Sequence, residues 1–292
     1  MLLIGENINI MSRQIGPAIK QKEARPIQDL AVRQEEAGMD YLDINLGPAR
    51  KEGPQIMEWL VKTVQEVVKI PLFLDTTNVE ALEAGLKVHR GKAVINSISC
   101  RPERMEALFP LVKRYNAGFV GLLIGVEGIP RDAAERGVLA AELLAKTAEQ
   151  NIPNENIWFD PIVLPVSSQQ NQVKGCTEFM EMFREMAPGC NATCGLSNVS
   201  NGTPAHLRPL LNQTYIIMLE KYGMSSAIVD ALDRALVRIA RGERDRIKKI
   251  VWAAMEEKEL DAGELNEEET NYLKTTKVLL GHSLYSHSWL KL

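Results

Sequence analysis

A (β/α)8 barrel, an α/β fold of TIM-barrel type, is predicted from two observations. Eight short apolar runs recur along the chain with helix-like segments between them. They are LLIGENIN (2–9), YLDIN (41–45), PLFLD (71–75), AVINS (93–97), GFVGLLI (118–124), IWFD (157–160), CGLSN (194–198) and SAIV (226–229) with Asp230 behind it. Strand–helix alternation repeated in this way predicts a parallel sheet closed into a barrel. Most of the runs also end on a carboxylate or a carboxamide, at Asn9, Asn45, Asp75, Asn96, Asp160, Asn198 and Asp230. In such a barrel the C-terminal strand ends form the active face. A ring of Asp and Asn with no Cys or His ligand set suits a hydrogen-bonding heterocycle better than a metal or a phosphate.

The segments between the runs read as helices in turn. The first is expected from Gly16, with a break near Pro26, to Gly38. Its second half, PIQDLAVRQEEAG, opens on Pro and closes on Gly. GPQIMEWLVKTVQEVVK (53–69) has apolar residues at 56, 57, 60, 61, 64, 67 and 68, a helical spacing. NVEALEAGLKVH (78–89) begins on an Asn N-cap. RPERMEALFPLVKRYNAG and PRDAAERGVLAAELLAKTAEQ supply two more amphipathic outer helices. The stretch PIVLPVSSQQNQVKGCT (161–177) directly follows Asp160 and is long for a strand-to-helix connection. Together with VSNGTPAHLRP (199–209) it is expected to form loops that shape a lid over the mouth.

After residue 240 the chain becomes dense in charge of both signs. Two helices are expected there, the second capped at Asn266 with Glu269 three positions on. The whole of 1–292 is read as one barrel domain with a charged helical insertion at about 242–272. That insertion is either a solvated hairpin or a partner-docking or dimer-stabilising element. The tail TTKVLLGHSLYSHSWLKL turns apolar again and is expected to pack on the barrel.

Composition narrows the function classes. The 292 residues are 45% hydrophobic and 25% charged, enough for a barrel of about 250 residues. Net charge is −4 and no basic stripe is present, which argues against a nucleic-acid partner. No apolar run approaches the ~20 residues of a membrane helix. The N-terminus MLLIGENINIM has no basic region before its apolar stretch, so it reads as a strand rather than a signal peptide. A cytoplasmic protein is expected. Cys100, Cys176, Cys190 and Cys194 include one C-x3-C pair, but His89, His206, His282 and His287 all lie far from it. Neither a zinc site nor a disulfide framework is expected.

The motifs at the strand ends are GENIN, DINLGP, LDTTN, AVINSIS, WFDPIVLP and GLSNVSN. Each alone is weak, because Asn and Asp also cap helices and turns. Together, in register at successive strand ends, they resemble the pterin-binding methyltransferase family on (β/α)8 barrels. That family includes methyltetrahydrofolate:corrinoid/iron–sulfur protein methyltransferases and relatives in corrinoid-dependent demethylase systems. The resemblance extends through RQEEAGMDYLDINLGP, MEWLVKTVQEV, LFLDTTNVEALEAGLK, RPLLNQTY and the tail TTKVLLGHSLY. It omits roughly 242–272. The family often has Arg where this chain has Asn7, so Asn7 is left out of the site.

The resemblance implies a pterin cradle at Asp75, Asn96 and Asp160. It places Asn198 near pterin N5, Asn201 at a more variable position, and Ile228 as an apolar wall. Arg208 is expected either to meet the glutamate tail of folate or to start a helix. The implied substrate is tetrahydrofolate or 5-methyltetrahydrofolate, and the implied partner is a separate corrinoid protein, since the D-x-H-x-x-G corrinoid signature is absent. A homodimer built on outer helices is implied as well. The implied chemistry is methyl transfer between folate N5 and cobalt, with Asn198 as the catalytic residue. In a demethylase system the methyl group moves from the corrinoid protein to tetrahydrofolate. In acetyl-CoA synthesis it moves the other way. Dihydropteroate synthase shares such a barrel, but its late-strand Lys and Ser-x-Arg elements are missing. A non-catalytic folate binder is the reading from a different class.

Overall fold

The computed structural model describes residues 1–48 and 51–291. Eight strands are present: β1 (Leu2–Asn9), β2 (Tyr41–Gly47), β3 (Leu72–Thr76), β4 (Val94–Ser99), β5 (Gly118–Leu122), β6 (Ile157–Asp160), β7 (Asn191–Ala192) and β8 (Ser226–Val229). Between and after them run α1 (Gly16–Gln21), α2 (Ala24–Glu36), α3 (Gly53–Gln65), α4 (Val79–Val88), α5 (Pro102–Arg114), α6 (Ala133–Glu149), α7 (Val166–Met186), α8 (Arg208–Lys221), α9 (Arg234–Ala240), α10 (Asp245–Met255) and α11 (Glu267–Leu279). All strand pairs are parallel, in the order β7-β6-β5-β4-β3-β2-β1-β8. This is the predicted (β/α)8 barrel.

The seam between β7 and β8 is closed by few backbone bonds. A single parallel bridge joins Gly195 to Ile228. Serine hydroxyls take over below it. Ser225 Oγ accepts from Ala192 N at 2.8 Å, and Ser225 and Ser226 both donate to Ala192 O, at 2.9 and 2.8 Å. Backbone groups that the ladder leaves unmatched are thus satisfied by side chains.

Two apolar layers follow from strand alternation. Outward residues such as Leu3, Leu42, Leu74 and Phe119 pack under the helices. Inward residues Ile4, Phe73, Val94, Val120, Trp158 and Ile228 fill the barrel, with Tyr41 against them. Tyr41, Phe73 and Trp158 meet edge to face, with ring centroids 5.3–5.5 Å apart. Each such pair adds about 0.5–1.5 kcal/mol beyond its burial. The barrel is therefore plugged beneath the strand ends.

Three expectations are corrected. The seventh run, CGLSN, is not the strand. The strand is Asn191–Ala192, and Leu196–Ser200 forms a 3-10 turn. Leu196 and Val199 are both buried, so an apolar run there arises from i, i+3 packing rather than from a strand. The expected lid at 161–177 is also absent, because α7 already begins at Val166. Its buried stripe of Val173, Cys176, Phe179, Met180 and Phe183 lies mostly beyond the polar SSQQNQ segment. That polar segment works as a strut. Gln170 Nε2 donates to Val278 O and Ser283 O, both at 2.7 Å, and its Oε1 accepts from Tyr285 N at 3.3 Å. The tail is thereby tied to α7. GFVGLLI also ends as a strand at Leu122.

The charged segment after residue 240 packs on α8. Ile247, Ile250 and Val251 are buried, Trp252 Nε1 donates to Ile217 O at 3.0 Å, and Lys248 pairs with Glu220 at 2.7 Å. The Asn266–Glu269 capping box forms as expected, with bonds of 2.9 and 3.0 Å. Among the described residues no helix is long and apolar enough to cross a membrane.

Candidate functional site

Side chains along a strand alternate between faces, so the residue two places beyond an inward apolar residue also faces inward. Beyond Ile4 stands Glu6. Beyond Tyr41 stand Asp43 and Asn45. Beyond Phe73, Val94, Trp158 and Ile228 stand Asp75, Asn96, Asp160 and Asp230. One polar layer therefore caps the apolar plug at the C-terminal ends. Backbone register aligns Asn45 with Asp75 and Asp75 with Asn96 across three neighbouring strands. Asn45 Nδ2 donates to Asp75, and Asn96 Nδ2 donates to Asp43 Oδ1 at 2.9 Å.

Burial raises the carboxylates of this layer. Asp75 is pushed up to about 7 by burial. Asp160 is pushed up to about 6 by burial, against the pull of the Ile162 and Gly195 N–H groups and of the Arg136 charge. Ile162 N donates to Asp160 Oδ1 at 2.8 Å. Asp43 is raised well above the usual carboxylate range by burial and by the neighbouring Asp75, against the Asn96 hydrogen bond. Glu6 is pushed up to about 7 by burial, although the Ser197 hydroxyl donates to it at 2.6 Å. Charged forms crowded out of water gain from any ligand that brings N–H donors. Such a layer suits a heterocycle edge carrying adjacent N–H groups, which a carboxylate accepts in parallel.

Asn198 sits in the 3-10 turn after β7 and is exposed. Its Oδ1 accepts from Asn201 Nδ2 at 3.2 Å. A Cβ on Gly195 would lie 3.0 Å from Asn198 Nδ2, so glycine keeps room for that amide. The turn is tied to the barrel through Ser197 and Glu6. Arg208 braces it from α8, donating to Ser200 Oγ at 3.1 Å, to Asn201 Oδ1 at 3.3 Å and to Ser197 O at 3.4 Å. Of the two expected roles for Arg208, the helix start is present, because α8 begins there.

The expected site residues therefore fall into three places. Asp75, Asn96 and Asp160 share the inner layer at the strand ends. Ile228 is 8% exposed and belongs to the apolar plug beneath them. Asn201 is exposed and contacts Asn198. Glu6, Asp43 and Asn45, at the mouth-forming motifs GENIN and DINLGP, join the layer together with Ser197, although the implied pterin cradle did not include them. The first three were identifiable from alternation inside GENIN and DINLGP. Asn7 braces the edge of this layer: its Nδ2 donates to Asp230 Oδ1 at 2.7 Å and its Oδ1 accepts from Ala231 N at 3.0 Å, which joins β1 to the end of β8. Among the described residues no group of three or more His, Cys, Asp or Glu is placed to hold a metal ion.

The chain is similar to known proteins. The family model described as Pterin binding enzyme matches residues 13–230. Methylcorrinoid:tetrahydrofolate methyltransferase of Eubacterium limosum is 30% identical over 239 residues, 81% of this chain and 88% of that protein. Methionine synthase of Mycobacterium leprae is 28% identical over 242 residues, 79% of this chain but 20% of that much longer protein. Dihydropteroate synthase from Thermus thermophilus, solved in complex with 6HMPPP, aligns with a TM-score of 0.57 at 18% identity. It covers 83% of this chain and 93% of its own, and at that identity the likeness concerns the fold.

Proposed function

The chain belongs to the pterin-binding enzyme family, and we propose that it moves a methyl group between N5 of tetrahydrofolate and the cobalt of a corrinoid on a separate protein. The direction favoured is from the methylcorrinoid protein to tetrahydrofolate, as in the name of the Eubacterium relative. The observation that carries this reading is the acceptor row Asn45–Asp75–Asn96 with Asp160 in the same layer above a closed apolar plug. Asp75 and Asp160 accept the N–H groups of the aminopyrimidinone edge, and Asn96 adds an amide to the same edge. Ile228 supplies the apolar floor. Asn201 supports the site through Asn198.

A methylcorrinoid brought by the partner protein would supply the methyl group from its cobalt–carbon bond. The chain's own task lies at N5. In the favoured direction the N5 lone pair forms the N–CH3 bond and the N5–H proton leaves to solvent. In reverse a lone pair grows on N5 as the N–CH3 bond breaks and solvent returns the proton, through the same transition state. With its oxygen held by Asn201, Asn198 presents its N–H end. That donor stabilises the N5 lone pair electrostatically, without full proton transfer. No strand-end His or Lys performs the task among the described residues.

One barrel, 1–292 with the hairpin at about 242–272 appended, carries this activity in the cytoplasm. The protein acts as a homodimer on outer helices. Val138 on α6 and Met182 on α7 support that placement, being 58% and 42% exposed on neighbouring outer helices. Mixing the protein with tetrahydrofolate and methylated free cobalamin, and following the visible spectrum, tests the function. Protein-dependent loss of the methylcobalt spectrum is expected. Folate binding with no spectral change would favour a non-catalytic binder.

A further inference from the structure

Arg136 on α6 is fully buried, with 0% exposure. An interior guanidinium ordinarily faces a carboxylate, because an unpaired buried charge is costly. The partners of Arg136 are instead neutral oxygens. Nε donates to Pro161 O at 2.7 Å, Nη1 to Asp132 O at 3.0 Å, and Nη2 to Gln172 Oε1 at 3.0 Å and Ile162 O at 3.5 Å. Two of these carbonyls belong to the turn directly after Asp160. In that turn Ile162 has φ +66°, a left-handed conformation that a β-branched residue rarely adopts. Its N–H is the group that donates to Asp160 Oδ1. Gly175 on α7 leaves room for the guanidinium, since a Cβ there would lie 3.2 Å from Nη1.

We propose that Arg136 is a positioning residue for Asp160: it clamps the carbonyls of Pro161 and Ile162, keeps the Ile162 N–H on the carboxylate, and sets a buried positive charge behind the group that receives the ligand's N–H donors. This rests on the reading of Asp160 as a folate acceptor. The fork geometry matters, because a planar guanidinium reaches carbonyls on two sides of the turn and an ammonium does not. The charge matters as well. The other titratable groups facing Asp160 are the Cys176 and Cys194 thiols, both pushed up by burial and therefore neutral. Tyr215, which lies near Arg136 and Cys176, is also held protonated by burial. Arg136 is thus the charge that opposes the burial of Asp160.

The test is the pH dependence of tetrahydrofolate affinity in the full-length protein and in Arg136→Gln and Arg136→Lys, from about pH 5.5 to about 8.5. In the parent, affinity should rise with pH as Asp160, at about 6, and Asp75, at about 7, ionise, and level off above about 7. In Arg136→Gln the levelling should move to higher pH, with binding about tenfold weaker near pH 6 and the deficit shrinking at alkaline pH. Arg136→Lys should keep the parental levelling pH while binding more weakly throughout. A purely structural role would weaken Arg136→Gln equally at every pH, and that result, or an unmoved profile, would overturn the proposal. If Arg136→Gln does not fold, the carboxyl carbon resonance of Asp160, assigned with Asp160→Asn, is titrated in the parent and in Gln172→Ala without folate. An upward move of its titration on loosening the guanidinium supports the clamp, and no move overturns it. Failure of the parent to bind folate would instead count against the function, and the same resonance would still report on Arg136.

Discussion

Asn201 donates its side-chain N–H to the side-chain oxygen of Asn198, 3.2 Å away. The bond engages the acceptor end of Asn198 and leaves the donor end for a ligand. Asn198→Ala should therefore slow single-turnover methyl transfer far more than it weakens tetrahydrofolate binding. Losing one transition-state donor costs at most about 2.7–4 kcal/mol in the barrier. Asn201→Ala should show a smaller rate loss in the same direction. Rates equal to the parent in Asn198→Ala would remove it from the chemistry.

Asp75→Ala and Asp160→Ala should each weaken tetrahydrofolate binding by about 1.5–3 kcal/mol, the range for hydrogen bonds to charged groups. Calorimetric titration checks this, with circular dichroism to confirm the fold. Tetrahydrofolate affinity unchanged in both variants would exclude the cradle.

The raised carboxylates make both binding and stability depend on pH, with opposite signs. Glu6 and Asp75 titrate at about 7, Asp160 at about 6, and Asp43 well above its usual range. In the unfolded chain all of them ionise at ~4. Between these values the folded state holds more protons, so stability present below ~4 is lost as pH rises through about 6–7. The lowered surface carboxylate Glu256, at about 2, acts below this window. The ligand-free melting temperature should accordingly fall from mildly acidic to mildly alkaline pH. Folate binding favours the ionised forms of Asp160 and Asp75, so it should release protons around pH 6–7. Calorimetry in buffers of different ionisation enthalpy measures that release.

The hairpin of α10 and α11 is held to α8 by Ile250, Val251 and the Trp252–Ile217 hydrogen bond. Ile250→Ala should cost about 2–5 kcal/mol of stability. Deletion of 242–272 should then lower methyl transfer equally with free cobalamin and with a protein-bound corrinoid, because it exposes α8. Loss confined to the protein-bound substrate would show a docking element instead.

Strand–helix order was readable because each barrel strand is short, apolar and followed by a turn signal. The Asn78 cap and the Asn266–Glu269 box were readable because capping is local chemistry. Leu196 and Val199 misled because a short apolar run has the same appearance in a 3-10 turn and in a strand. Residues 166–172 misled because polar side chains there bond the tail, Asn201 O, Arg131 O and Arg136 from a helix, a tertiary role with no local signature. Asp75, Asn96 and Asp160 stood out at strand ends. Glu6 and Asp43 lie within GENIN and DINLGP rather than at the run ends, and inward alternation adds them to the cradle. The buried Arg136 was hidden on an outer helix, where arginine ordinarily faces water.

The most direct measurement supplies tetrahydrofolate with cobalamin carrying a carbon-13 methyl group and follows the label by NMR. With the parent protein the label should appear as an N5-methyl resonance of the folate, at a rate that falls sharply in Asn198→Ala and with folate affinity reduced in Asp160→Ala. Label that stays on cobalt while tetrahydrofolate is demonstrably bound would contradict methyl transfer at this barrel mouth.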